Sequence, residues 1–182
     1  MKHVGIVIAD HGSAIVHVEH DGTELLVTAV ERLPFSLTPV ADRVQELDRE
    51  IVEARFVVDA DSLGAALWAV LGPPDDEDRW QLYTGRGVER QRLVDGLLVA
   101  IHDGRFHFAP NLPEQEAMTK ALQGYRRQVR DDGVIGSELV VALLLAIIPA
   151  PEPTPLPLFA FGGRDDGRII WVIPPETEAQ HD

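Results

Sequence analysis

The residues in this sequence best suited to chemistry are carboxylates, whose chemistry is the holding of hard cations. Asp59 and Asp61 straddle the end of the short apolar run Phe56-Val57-Val58, and Ser62 follows where a helix can start. Glu138 stands beside Ser137 at the head of the most apolar stretch of the chain. Acids at such places serve equally well as turn and capping residues, because a helix N-terminus favours them. His3, His11, His17, His20, His102 and His107 show no HExxH or comparable ligand spacing, so they read as surface or strand residues. The chain has no cysteine, which excludes disulfides and thiolate metal sites. Lys2 and Lys120 are its only lysines and no G-x-x-x-x-G-K-[S/T] sequence occurs, which excludes an ATP-driven motor of the P-loop kind.

Composition narrows the partners. The 182 residues suit one domain, and a hydrophobic content of 45% suffices for one core. A formal charge of -14 opposes unspecific attraction to nucleic-acid phosphates, so any DNA contact needs a local basic patch. Basic residues concentrate only at Arg86, Arg90 and Arg92 and at Arg126, Arg127 and Arg130, with Asp95, Asp131 and Asp132 among them as on a solvated helix face. The apolar run at the N-terminus is too short for a signal peptide, and the stretch Leu139 to Ile148 is half of what spans a bilayer. No membrane association is expected.

The elements that must position these side chains follow from periodicity. Val4 to Ala9, Ala14 to His20 and Glu24 to Glu31 read as three strands, with Asp21-Gly22-Thr23 marking a hairpin. Thr38-Pro39 opens a helix whose Val40, Val44, Leu47 and Ile51 share a face. Phe56 to Val58 is a buried strand ending at Asp59, and Ser62 caps a helix to Leu71. Trp80 to Thr84 returns as a strand, and Glu89 to His102 is a helix ended by Gly104. Arg105 to Ala109 reads as an edge strand, and Pro113 opens a helix carrying Met118, Leu122, Tyr125 and Val129. A last helix, Ser137 to Ile148, is apolar on every side and must be buried within the domain or at an interface. Residues 1–148 thus form one domain, followed by a Pro-rich extended segment over 149–157, a hairpin over 158–173 and a flexible tail over 174–182. The fold class is α/β: a mixed central sheet, with three leading antiparallel strands and then alternating helices and strands, flanked by helices. Strand, strand, strand, helix, strand, helix is the RNase H-like order.

Four stretches resemble the nuclease domain of phage large terminase subunits: VGIVIADHGSAIVHVEHDG, RFVVDADSLGAALWAVL, RQRLVDGLLVAIHDGRFHFAPNLPEQEAMTKALQGYRRQVRDDG and GSELVVALLLAI. The likeness spans roughly Val4 to Ile148. It implies two-metal phosphodiester hydrolysis, with acids holding two Mg²⁺ or Mn²⁺ ions about 4 Å apart. Carried over position by position, the family's acid on the fourth strand matches Asp59, with Asp61 close by. The family's His-Asp-Asp start of the last helix corresponds to Gly136-Ser137-Glu138, which keeps one carboxylate. On the first strand, Gly-hydrophobic-Asp becomes Gly5-Ile6-Val7, and Val7 cannot bind a metal. Asp10 follows three residues on, an odd separation that puts it on the opposite face of a regular strand unless the backbone bulges.

The resemblance therefore implies a terminase-nuclease-like domain with an incomplete acid set, Asp59 and Glu138 being its remaining candidate catalytic and metal-binding residues and Asp10 and Asp61 its possible substitutes. Its expected role is binding or scaffolding, beside two alternatives: a metal-dependent endonuclease of viral DNA packaging, and a module that docks a partner through the apolar helix or the Pro-rich segment. It also implies that Arg86, Arg90, Arg92, Arg126, Arg127 and Arg130 are the candidates for facing DNA, that DNA or a phage packaging protein is the partner, and that the place of work is a bacterial host's cytoplasm. Asp10-His11-Gly12-Ser13 also resembles the phosphate-binding hairpin of actin-like ATPases, but the chain is too short for their two lobes and a plain tight turn is expected.

Overall fold

The computed structural model describes residues 1–9, 12–61, 63–71, 79–85, 88–128 and 138–148, with backbone only for 125–128. The described residues all fall within one compact unit, Met1–Ile148. The elements run β1 (Lys2–Ala9), β2 (Gly12–His20), β3 (Leu25–Leu33), α1 (Leu37–Glu50), β4 (Ala54–Asp59), α2 (Gly64–Leu71), β5 (Trp80–Tyr83), α3 (Val88–His102), β6 (Phe106–Phe108), α4 (Gln115–Gln128) and α5 (Glu138–Ala146). The sheet order is β5-β4-β1-β2-β3-β6. β1, β2 and β3 pair antiparallel, whereas β4 runs parallel to β1, β5 to β4 and β6 to β3.

Local chemistry explains the first turns. Asp21 Oδ1 accepts hydrogen bonds from the Thr23 and Glu24 amides at 3.1 and 2.9 Å, and Gly22 takes φ 101°, so the β2–β3 hairpin closes as its Asp-Gly predicts. Alternation along β1 then sorts side chains to two cores. Val4, Ile6 and Ile8 face α1 and α2, where Val40, Val44, Leu47 and Leu67 cover them. Gly5 and Val7 face α5.

The all-apolar helix is the centre of that second core. Every residue from Leu139 to Ala146 is buried, because α5 lies on β1, β2 and β4 and is covered in turn by α3 and α4. Each buried Leu or Val there contributes roughly 2 kcal/mol of apolar burial. Close approach needs Gly5: a Cβ on it would stand 1.9 Å from the Ala142 carbonyl oxygen. The far end of α5 is held by Arg55, whose buried guanidinium donates to the Ile148 carbonyl at 3.0 Å and also to Gln81 Oε1. A basic donor on the last carbonyls complements the helix dipole.

Two expectations shift. α1 begins at Leu37, ahead of Thr38-Pro39, with Ser36 as its N-cap. Pro113 does not open α4: Asn111 and Glu114 both have positive φ, 58° and 61°, in a turn that tucks Leu112 into the core and delays the helix to Gln115. Gly104 does end α3, with φ 70°. Asp10, His11, Ser62, Arg86, Val129, Arg130, Ser137 and the segments 149–157, 158–173 and 174–182 lie outside the described residues.

Candidate functional site

The parallel strands β1 and β4 end at the same edge of the sheet, the edge where open α/β sheets place their sites. β1 pairs with β4 as Gly5↔Val57 and Ile6↔Val58. One residue further on both strands, Val7 stands level with Asp59, on the face that carries Val57 and packs against α5. On its other side Val7 is paired with Ala14 of β2. Val7 is 4% exposed among apolar neighbours and is part of the core.

Asp59 closes β4 and is itself 5% exposed. Gly64 makes its setting tight: a Cβ there would fall 1.5 Å from the Asp59 carbonyl oxygen, so only glycine lets α2 start this close to the strand end. The Asp59 carboxylate accepts from the Asp61 amide at 3.3 Å. Arg90, in the first turn of α3, places one guanidinium nitrogen 3.2 Å from each Asp59 oxygen and 3.5 Å from Asp61 Oδ2. Burial pushes the Asp59 carboxyl above the ordinary carboxylate range, against the opposing pull of Arg90 and the Asp61 amide. Tyr83 lies beside Asp59 in the β4–β5 register. Its hydroxyl is buried with no hydrogen-bond partner among the described residues, and burial raises its pKa.

Glu138 is the first residue of α5, so its carboxylate sits favourably at a helix N-terminus. It reaches the same edge from above β2: a Cβ on Gly12 would lie 3.9 Å from Glu138 Oε1. Arg32, at the end of β3, approaches that oxygen at 3.4 Å and Glu114 at 4.0 Å from a half-exposed side chain. Glu138 is therefore loosely paired, whereas Asp59 is enclosed with its cation.

Of the residues singled out from the sequence, the structure brings Val7, Asp59, Asp61 and Arg90 together and sets Glu138 over the same end of the sheet. Arg90 turns inward to Asp59 and Asp61 instead of joining Arg92 on the exposed face of α3. Arg126 and Arg127 lie on α4, whose backbone alone is described there. Arg32 carried no signal in the sequence, since its partner is 106 residues away. Arg90 had one: α3 follows directly from β5, and a helix leaving a parallel strand starts at that strand's C-terminal edge.

With three antiparallel strands, two parallel strands beyond β1 and a buried helix across the sheet, this is a mixed α/β fold of the RNase H-like type. It is the fold of large terminase nuclease domains. The nuclease of the thermophilic phage G20c large terminase, solved with cobalt, matches over 80% of this chain and 79% of its own, with a TM-score of 0.59 and 18% identity. The nuclease domain of the bacteriophage SPP1 large terminase g2p, solved with manganese, matches over 80% and 84%, with a TM-score of 0.55 and 14% identity. The human cytomegalovirus terminase nuclease domain, soaked with manganese and bound to an inhibitor, gives 79%, 81%, 0.50 and 10%. No protein-family model and no curated protein sequence matches the chain. Among the described residues no helix is long and apolar enough to cross a membrane.

Proposed function

We propose that this chain is a terminase-nuclease-like domain that has lost its metal-dependent chemistry and serves in binding or scaffolding. The observation that carries the proposal is Val7, a buried valine level with Asp59 where the strand would have to present a carboxylate. Two divalent ions need several oxygen ligands converging on one space. At this edge one contributing position is apolar, one acid is enclosed with Arg90, and Glu138 stands as the third. Among the described residues, the carboxylates at this edge therefore favour a site that does not hold two metals. The formal charge of -14 adds a barrier to unspecific DNA binding, so a protein of the packaging apparatus is the favoured partner and DNA the lesser one.

A second reading, a metal-dependent DNA endonuclease, is supported by the shared fold of nucleases solved with magnesium, manganese and cobalt. It is also supported by the meeting of Asp59 and Glu138 at one sheet edge. In that reading Asp59 and Glu138 hold the ions with help from Asp61 or Asp10. Supercoiled plasmid incubated with the protein and Mn²⁺ separates the two. The proposal expects intact plasmid; nicking that disappears in Asp59→Ala would establish the endonuclease instead.

A further inference from the structure

Resting on the impaired-domain reading, we infer that the Arg90 guanidinium is the resident cation of this site: it holds Asp59 and Asp61 together and, with Val7, keeps divalent ions off the end of β4. The geometry is a single guanidinium nitrogen shared by three carboxylate oxygens, at 3.2, 3.2 and 3.5 Å. Asp59 is enclosed, so a charge on it calls for a local counter-charge, and a guanidinium, which keeps its proton, supplies one. α3 itself gains nothing from Arg90, because a cation in the first turn opposes the helix dipole. The guanidinium is there for the carboxylates.

A consequence distinguishes this from a merely missing ligand. Restoring the first acid alone leaves Arg90 competing with any incoming ion for the same oxygens. Removing the guanidinium should therefore raise divalent-cation affinity by at least about tenfold once a third acid is present.

The test is the Mn²⁺ affinity of the full chain and of Val7→Asp, Arg90→Gln and the double variant, by titration calorimetry. The inference expects the double variant to bind at least about tenfold more tightly than Val7→Asp alone. Equal affinities in those two proteins overturn it while leaving the impaired-domain reading intact. Tight, Asp59-dependent binding by the unaltered chain overturns the impaired-domain reading, and this inference with it.

A second measurement guards against Val7→Asp failing to fold. The charged and titratable groups near Asp59 are Asp61 after β4, Tyr83 on β5 and Arg90 on α3, with Glu89 beside Tyr83. Arg90→Gln leaves the Asp59 and Asp61 carboxylates without the guanidinium they share, so its melting temperature at neutral pH should fall several degrees below that of the unaltered chain. Asp59→Asn added to Arg90→Gln removes the enclosed carboxylate that has lost its partner and should restore much of that loss. An Arg90→Gln protein that melts with the unaltered chain would overturn the inference.

Discussion

Gly5→Ala places a methyl group where α5 already is. The added carbon would stand 1.9 Å from the Ala142 carbonyl oxygen and 2.7 Å from the Ala146 amide nitrogen. Non-bonded heavy atoms need about 3.5 Å, so the helix would have to withdraw by roughly 1.5 Å. The obstacle is backbone, and no rotamer change relieves it. A gap of that size forfeits at least a quarter to a half of the dispersion well along the row from Leu139 to Ala146, all of it buried. Overpacking ordinarily costs about 1–3 kcal/mol, and this case belongs at or above the upper end. At roughly 2–4 °C per kcal/mol for a domain of this size, the melting temperature should fall by about 6–12 °C. Thermal melts and urea titrations on the two proteins measure it. A Gly5→Ala protein within about 1 kcal/mol of the unaltered chain would refute the claim that α5 is seated on β1 at this glycine.

Further outcomes follow from the same geometry. Gly64→Ala, with its Cβ 1.5 Å from the Asp59 carbonyl oxygen, should destabilise by about 3 kcal/mol or more in urea titration, and it should displace Asp59 from Arg90. Arg55→Met leaves the Ile148 carbonyl without its donor and should cost about 1–3 kcal/mol, read as a lower urea midpoint. Acid should unfold the chain partly through His3, whose pKa burial lowers to about 4. The unfolded chain takes up that proton near pH 6.5 and the folded chain only near 4, so the stability is intact above pH 6.5 and drains as pH falls between those values. The loss reaches about 3 kcal/mol. A melting temperature that holds constant from pH 7 to 4 would contradict it.

Much of the architecture was legible because it is written locally. Asp21-Gly22 signalled its hairpin, three leading strands followed by alternating helices and strands signalled a mixed sheet covered by helices, and a helix apolar all round signalled burial. Asp59 at a strand end was legible for the same reason. Where local rules compete with packing, legibility ended: Pro113 reads as a helix start, but burial of Leu112 makes the chain turn first through Asn111 and Glu114. The pairings that define the site were the least legible. Arg90 meets Asp59 across 31 residues and Arg32 meets Glu138 across 106, and no periodicity encodes contacts that only the folded sheet creates. By periodicity alone Arg90 looked like its neighbour Arg92, a basic residue on a solvated helix, and only its place in the first turn after β5 pointed to the sheet edge.

On the proposed reading, the space between Val7, Asp59 and Glu138 does not hold divalent metal. Crystals of the full chain soaked in Mn²⁺ and measured at the manganese absorption edge address it directly, because anomalous scattering marks the ion independently of any activity. The account predicts no anomalous peak at that edge of the sheet, with Arg90 still on Asp59. A peak within coordination distance of the Asp59 and Glu138 carboxylates, about 2.0–2.6 Å as for hard divalent ions, would contradict it.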